Sequence, residues 1–349
     1  MTARPLIRTR TTTFAKRVVL FLTATVSSLS LAQAVPTIGA ANDEGSKAPY
    51  RGTSVSYGAT TTVYNYSPET IAITHRLGLM PEWHFNDQIW VRSRFYLSQE
   101  FTDSDSTTYK HEVELSDLWL DAVWAGYREK ITGIKIAGDL RTTFPTSKFS
   151  QSVSRIMTVG PGVNVSKTFK VLAGLTLVYS TRFTYRFNRF TTRQNLGGQI
   201  VDMGTCSSAS QLAGGLVDAC TNTNSGATNV QFDLIHGPTV SFSPHERVNL
   251  SASLFMQRGW VPPSKGLDLN GYEIAPTGWQ TRDFIGFSFG ATYQPWDVVS
   301  FTLGAFTFAN QLDLEGKTIF PLFNRNTVAS LDATFDLEAI VSGFTKEKK

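Results

Sequence analysis

The stretch "YSTRFTYRFNRF" (residues 179–190) decides the fold. On a helix, Arg182 and Arg186 would share a face by their i,i+4 spacing. On a strand they share one by period two, and the aromatics take the other face. Leu175, Leu177, Tyr179, Thr181, Phe183, Tyr185 and Phe187 form one alternate set. Thr176, Ser180, Arg182, Thr184, Arg186 and Asn188 form the other. Alternation of this length, in residues that favour extended backbone, is a strand.

The same period recurs elsewhere. Ile89, Val91, Phe95 and Leu97 oppose Gln88, Arg92, Arg94 and Ser98, and Ile134, Ile136 and Leu140 oppose Lys135, Asp139 and Arg141. Leu331, Phe335 and Leu337 oppose Asp332, Asp336 and Glu338. Segments at 52–64, 70–80, 88–101, 112–125, 133–143, 152–166, 171–190, 229–243, 247–259, 282–294, 298–309 and 326–341 read as twelve strands. Short links such as "KTFK" (167–170) and "QPWD" (294–297) alternate with long ones such as 191–228 and 260–281. An even count requires residues 53–65 to supply the first strand; ten to fourteen strands is the range left open.

Residues 1–34 read as a cleaved secretory signal. A basic start is followed by the 14-residue apolar run "VVLFLTATVSSLSL" (18–31) and the small-residue pattern "AQA" (32–34). That segment holds five of the 32 Lys and Arg and none of the 28 Asp and Glu, leaving 27 basic against 28 acidic residues. The formal charge of +4 is therefore no pointer to nucleic acid. Residues 35–51 read as a flexible lead-in. Cys206 and Cys220 lie in one polar segment of an exported chain, which predicts a disulfide. No histidine or cysteine spacing suggests a metal, and no phosphate-binding loop suggests a cofactor.

With short turns at one end and long loops at the other, the chain resembles Gram-negative outer-membrane β-barrels of the porin-like type. The resemblance covers residues 52–341 and rests on pattern. It departs at the end, where a charged tail (342–349) follows Phe344 instead of a terminal aromatic. It implies a single antiparallel barrel with both mature termini in the periplasm and outer-membrane lipid and lipopolysaccharide around it. It further implies barrel-assembly machinery during biogenesis and small polar solutes as cargo. Trp83, Trp124, Tyr127, Tyr293 and Trp296 fall at or beside the short turns, where an interfacial girdle belongs.

Arginine facing lipid near the midplane costs roughly 2–4 kcal/mol, so the charged parity belongs inside. The expected basic inner residues are Arg92, Arg94, Lys135, Arg141, Arg182 and Arg186. The acidic ones are Asp117, Asp121, Asp139, Asp233, Asp332, Asp336 and Glu338. Strand 112–125 breaks alternation, and a bulge near Ser116–Asp117 would restore it. Two readings stay open: a water-filled channel between a basic and an acidic wall, or a narrow barrel filled by salt bridges. A closed surface barrel working through its loops is the alternative function. A lipid-face hydrolase is the third: His75 and Ser93 share the apolar parity and oppose each other if the turn centres on residue 84.

Overall fold

The computed structural model describes residues 48–63, 72–102, 111–194, 224–263, 266–267, 273–274, 278–311, 317–318, 320–324 and 326–346. The signal segment and the cysteine pair lie outside them. The first six wall strands are β1 (Ser54–Thr62), β2 (Ile73–Met80), β3 (Ile89–Glu100), β4 (Leu118–Arg128), β5 (Lys135–Phe144) and β6 (Arg155–Phe169). The other six are β7 (Gly174–Asn188), β8 (Phe232–His245), β9 (Val248–Val261), β10 (Gln280–Trp296), β11 (Val299–Asn310) and β12 (Val328–Asp336). Each pairs antiparallel with its sequence neighbours, and β12 returns to β1 from Ser54↔Asp336 to Thr62↔Val328. The ring is closed, so no edge is left unpaired. The first strand, on which the even count depended, is the one that seals it.

Exposure alternates as the sequence alternates. Tyr179, Phe183 and Phe187 on β7 are exposed, as are Phe301 and Leu303 on β11 and Leu331 and Phe335 on β12. So broad an apolar exterior exceeds what a water-soluble monomer carries. It suits hydrocarbon, which strands can cross only as a closed barrel. Trp83, Trp124, Tyr127, Tyr293 and Trp296 are all exposed at the short-turn end.

Three local departures shape the wall. The short strand Val113–Leu115 precedes β4 and also pairs with β3, but the register slips by one residue between them. Leu97 faces Leu115, whereas Arg94 faces Trp119. The extra residue is the bulge at Ser116–Asp117. Ser116 fills it with its backbone N–H donating to the Tyr96 carbonyl at 2.8 Å, while its hydroxyl accepts from Tyr96 N–H at 2.8 Å. Val113, Leu115 and Leu120 are thereby all exposed, with Glu112 and Asp121 buried.

The second departure is the β5–β6 connection. A five-residue helix, α1 (Lys148–Ser152), begins after Ser147, which caps it by accepting from Ser150 N–H. The third is the C-terminus. The last strand stops at Asp336 instead of reaching residue 341, and α2 (Leu337–Lys346) follows. Asp336 ends the strand by accepting Ala339 N–H at 3.0 Å, an N-cap. Glu338 consequently sits in the first turn of α2, off the barrel wall. The expectation that it lines the lumen from the last strand is corrected: "LEAIVSGF" satisfies a helical stripe as well as a strand's alternation.

Candidate functional site: the inner face of the barrel

The charges on the inner face are held in contact pairs. Asp121 on β4 gathers three guanidinium groups. Arg141 donates from Nε at 2.6 Å and from Nη2 at 3.1 Å, Arg94 at 3.1 Å and Arg92 at 3.4 Å. Trp119, two residues before Asp121, lies under the guanidinium carbons of Arg141 and Arg94, at 4.3 and 5.3 Å from its ring centre. Arg92 also reaches Glu82 at 3.5 Å. Arg186 on β7 pairs with Asp233 on β8 at 2.7 Å.

Two further pairs jump a strand, and glycine is the reason they can. Asp139, Gly162 and Arg182 occupy one cross-strand row on β5, β6 and β7. Arg182 and Asp139 meet over Gly162 at 2.7 Å. A Cβ on Gly162 would stand 2.7 Å from Asp139 Oδ1 and 3.0 Å from Arg182 Nη2. Asp332, Gly58 and Arg76 repeat the device across β12, β1 and β2, where the barrel closes. Their ion pair is 2.7 Å long, and a Cβ on Gly58 would lie 1.9 Å from Asp332 Oδ1. The same arrangement carries apolar groups on the other side. The buried ring of Phe255 lies over Gly286 and stacks on Phe308 at 6.0 Å, with Phe284 and Phe306 completing the cluster.

At the long-loop end, Asp117 is the anchor of the β5–β6 loop. Its carboxylate accepts from Ser147 N–H at 3.0 Å, Ser147 Oγ at 2.7 Å, the Ser150 hydroxyl and Arg155 at 3.4 Å. Lys148 pairs with the buried Glu112. Ser150 and Val153 are buried, so this loop folds against the barrel's inner face.

The lower inner face of β8 to β11 is uncharged. Thr239 bonds Ser253 at 2.8 Å, Asn249 donates to Ser241 at 2.8 Å, and Thr292 meets Thr302 at 2.9 Å. Gly290 and Gly304 sit opposite each other between these rows.

Of the charges expected inside, Arg92, Arg94 and Arg141 meet Asp121, Arg182 meets Asp139 and Arg186 meets Asp233, whereas Asp336 caps α2. The charges are not divided into a basic wall and an acidic wall. Asp332 on the last strand neutralises Arg76, which the same alternation could have placed inside. Lys135 stands at the foot of β5, opposite Arg128 and Ser166. Glu82 and Arg155 join the network through their ion pairs, and Glu112, which the expected bulge turns inward, joins it through Lys148.

His75 and Ser93 do not meet. "PEWH" continues the ladder past Pro81, with Glu82↔Arg92 and His84↔Trp90, so the turn centres on residue 87. Asn86 tightens it by accepting from the backbone of Gln88 and Ile89 at 2.8 Å each. His75 accordingly faces Gln99, six residues along β3 from Ser93, a separation of about 20 Å at strand rise. Its Nδ1 shares a 2.6 Å hydrogen bond with Tyr57, an outward pair repeated by Tyr179 and His236 at 2.9 Å.

Geometry and exterior thus define a closed, twelve-stranded antiparallel barrel of the outer-membrane type. No protein-family model matches the chain, and no curated protein matches it. Among solved structures it is similar to an outer membrane channel from Pseudomonas putida F1. The two are 12% identical over 85% of this chain and 99% of that one, with a TM-score of 0.49. It is also similar to the KdgM porin, with 7% identity, 81% and 99% coverage and a TM-score of 0.40. An outer membrane phospholipase from Salmonella typhi is similar at 11% identity, 85% and 94% coverage and a TM-score of 0.32.

Proposed function

We propose that the protein is a passive outer-membrane channel for small hydrophilic solutes, with its short turns and both mature termini in the periplasm. One observation carries this reading: the inner face is unequal. From β2 to β7 it is filled by long, ion-paired side chains, while the lower part of β8 to β11 is uncharged and bears Ser, Thr, Asn and Gly below the Phe306 ring. Short hydroxyl side chains leave room and offer exchangeable hydrogen bonds, so the path runs beside that wall. Outer-membrane lipid and lipopolysaccharide surround the barrel, and assembly machinery inserts it. No catalysis is assigned, because the one nucleophile–base pair the chain suggested is divided by its register.

A second reading, a closed barrel acting through its long loops, is favoured by the buried Phe255 and its stacked neighbours. Swelling of liposomes that contain the folded barrel separates the two. Entry of a three-carbon polyol, abolished by Ser251→Trp on the hydroxyl wall, supports the channel. No swelling by either folded protein supports the closed barrel.

A further inference from the structure

Within the channel reading, we infer that the lumen presents a binding face for small oxyanions, formed by Arg92, Arg141, Arg182 and Arg186. The inference rests on how each ion pair is layered. Side-chain exposure is 23% for Arg92 and 19% for Arg141, against 1% for their shared partner Asp121. It is 20% for Arg182 against 9% for Asp139, and 24% for Arg186 against 2% for Asp233. The carboxylates lie against the wall and the guanidinium groups lie in front of them. A solute in the lumen meets positive charge at contact, although the pairs are close to neutral in sum.

Two details fit an oxyanion ligand. The cluster sets three arginines, Arg92, Arg94 and Arg141, against the two carboxylates of Asp121 and Glu82. Guanidinium forks also match the paired oxygens of a carboxylate or phosphate. Trp119 keeps the Arg141 and Arg94 planes in place by stacking, which lowers the entropy lost on binding.

The layering makes a claim that net charge alone does not. The paired replacements Asp139→Asn with Arg182→Gln, and Asp233→Asn with Arg186→Gln, leave the total charge unchanged and leave no buried charge uncompensated. They remove the Arg182 and Arg186 half of the cationic front and leave Arg92 and Arg141 in place. A unit charge about 7 Å from an ion in a water-like dielectric biases occupancy roughly threefold.

The test is the reversal potential of the folded protein in planar bilayers under a potassium chloride gradient, followed by addition of inorganic phosphate. Wild type is expected to prefer chloride over potassium by roughly threefold or more, with its current reduced by millimolar phosphate. The fourfold variant, confirmed as folded by its heat-resistant mobility, is expected to lose about half of both effects, since Arg92 and Arg141 remain. Ion flow without anion preference, or a preference unchanged in the variant, overturns the oxyanion face and leaves the channel standing. No ion flow from folded wild type overturns both.

Discussion

Gly58 and Gly162 are inner-face residues whose contribution is the space they leave. Each lets an arginine and an aspartate from the flanking strands close over the middle one. Gly58→Ala is expected to destabilise the barrel by about 1–3 kcal/mol, the usual cost of forcing atoms into a packed site. Gly138→Ala is the matched control, since its Cβ would meet ordinary contacts at 3.5 and 3.7 Å. It is expected to change stability by less than about 0.5 kcal/mol. Urea midpoints in lipid vesicles read both, and equal midpoints would contradict the bridging role.

Asp121→Asn carries a larger expectation. It strands three clustered arginines beside a neutral group, a loss of about 3–5 kcal/mol, whereas Asp283→Asn, which breaks the solvent-facing pair with Arg258, is expected to cost far less. Asp121 and its three arginines were visible in the sequence as inner residues, but their pairing was not. Alternation says which face a side chain takes; only the register says that Gly162 stands between Asp139 and Arg182.

At the scale of the element, the irregular points did most to set the wall. The bulge at Ser116–Asp117 was legible because the hydrophobic parity of 112–125 reverses in mid-strand. Deleting Ser116 would restore an unbroken ladder and turn Val113 and Leu115 inward. The deletion is expected to abolish the heat-resistant folded band on a semi-native gel, and a normal band would count against the bulge as a required feature. The turn after β2 was not legible. Trp83 and His84 sit beside Pro81, which looks like a strand end, yet the ladder resumes past it and shifts the pairing by several residues. That shift separated His75 from Ser93. The last strand failed for another reason: a run with apolar residues at 337, 340, 341 and 344 serves either period, and the Asp336 cap settles it as helix.

The β4–β5 turn gives a pH-dependent expectation. The Thr132 hydroxyl and the backbone N–H groups of Ile131 and Thr132 all donate to Glu129, holding its carboxyl below the ordinary range. These bonds favour the ionised form, so their contribution is present above the unfolded carboxylate pKa. It is lost as pH falls through the lowered one. Thr132→Ala is expected to move the Glu129 midpoint upward in a side-chain NMR titration; an unmoved midpoint would refute the cause assigned.

For the whole molecule, two periods in the sequence were enough to reach the architecture: alternation within strands, and the alternation of short and long links between them. Closure followed from parity, and β1 supplies it. What no pattern could supply was the distance between charges. Inner arginines and aspartates fit a wide lumen with opposed walls as well as a narrow one with local pairs, and contacts of 2.6–3.5 Å select the local pairs. The proposed channel therefore depends on the uncharged wall of β8 to β11. The most direct measurement is single-channel conductance of the folded barrel in a planar bilayer. Discrete conductance steps that vanish when Ser251→Trp fills that wall are the expected result. A folded barrel that passes no current, or steps indifferent to the tryptophan, would contradict it.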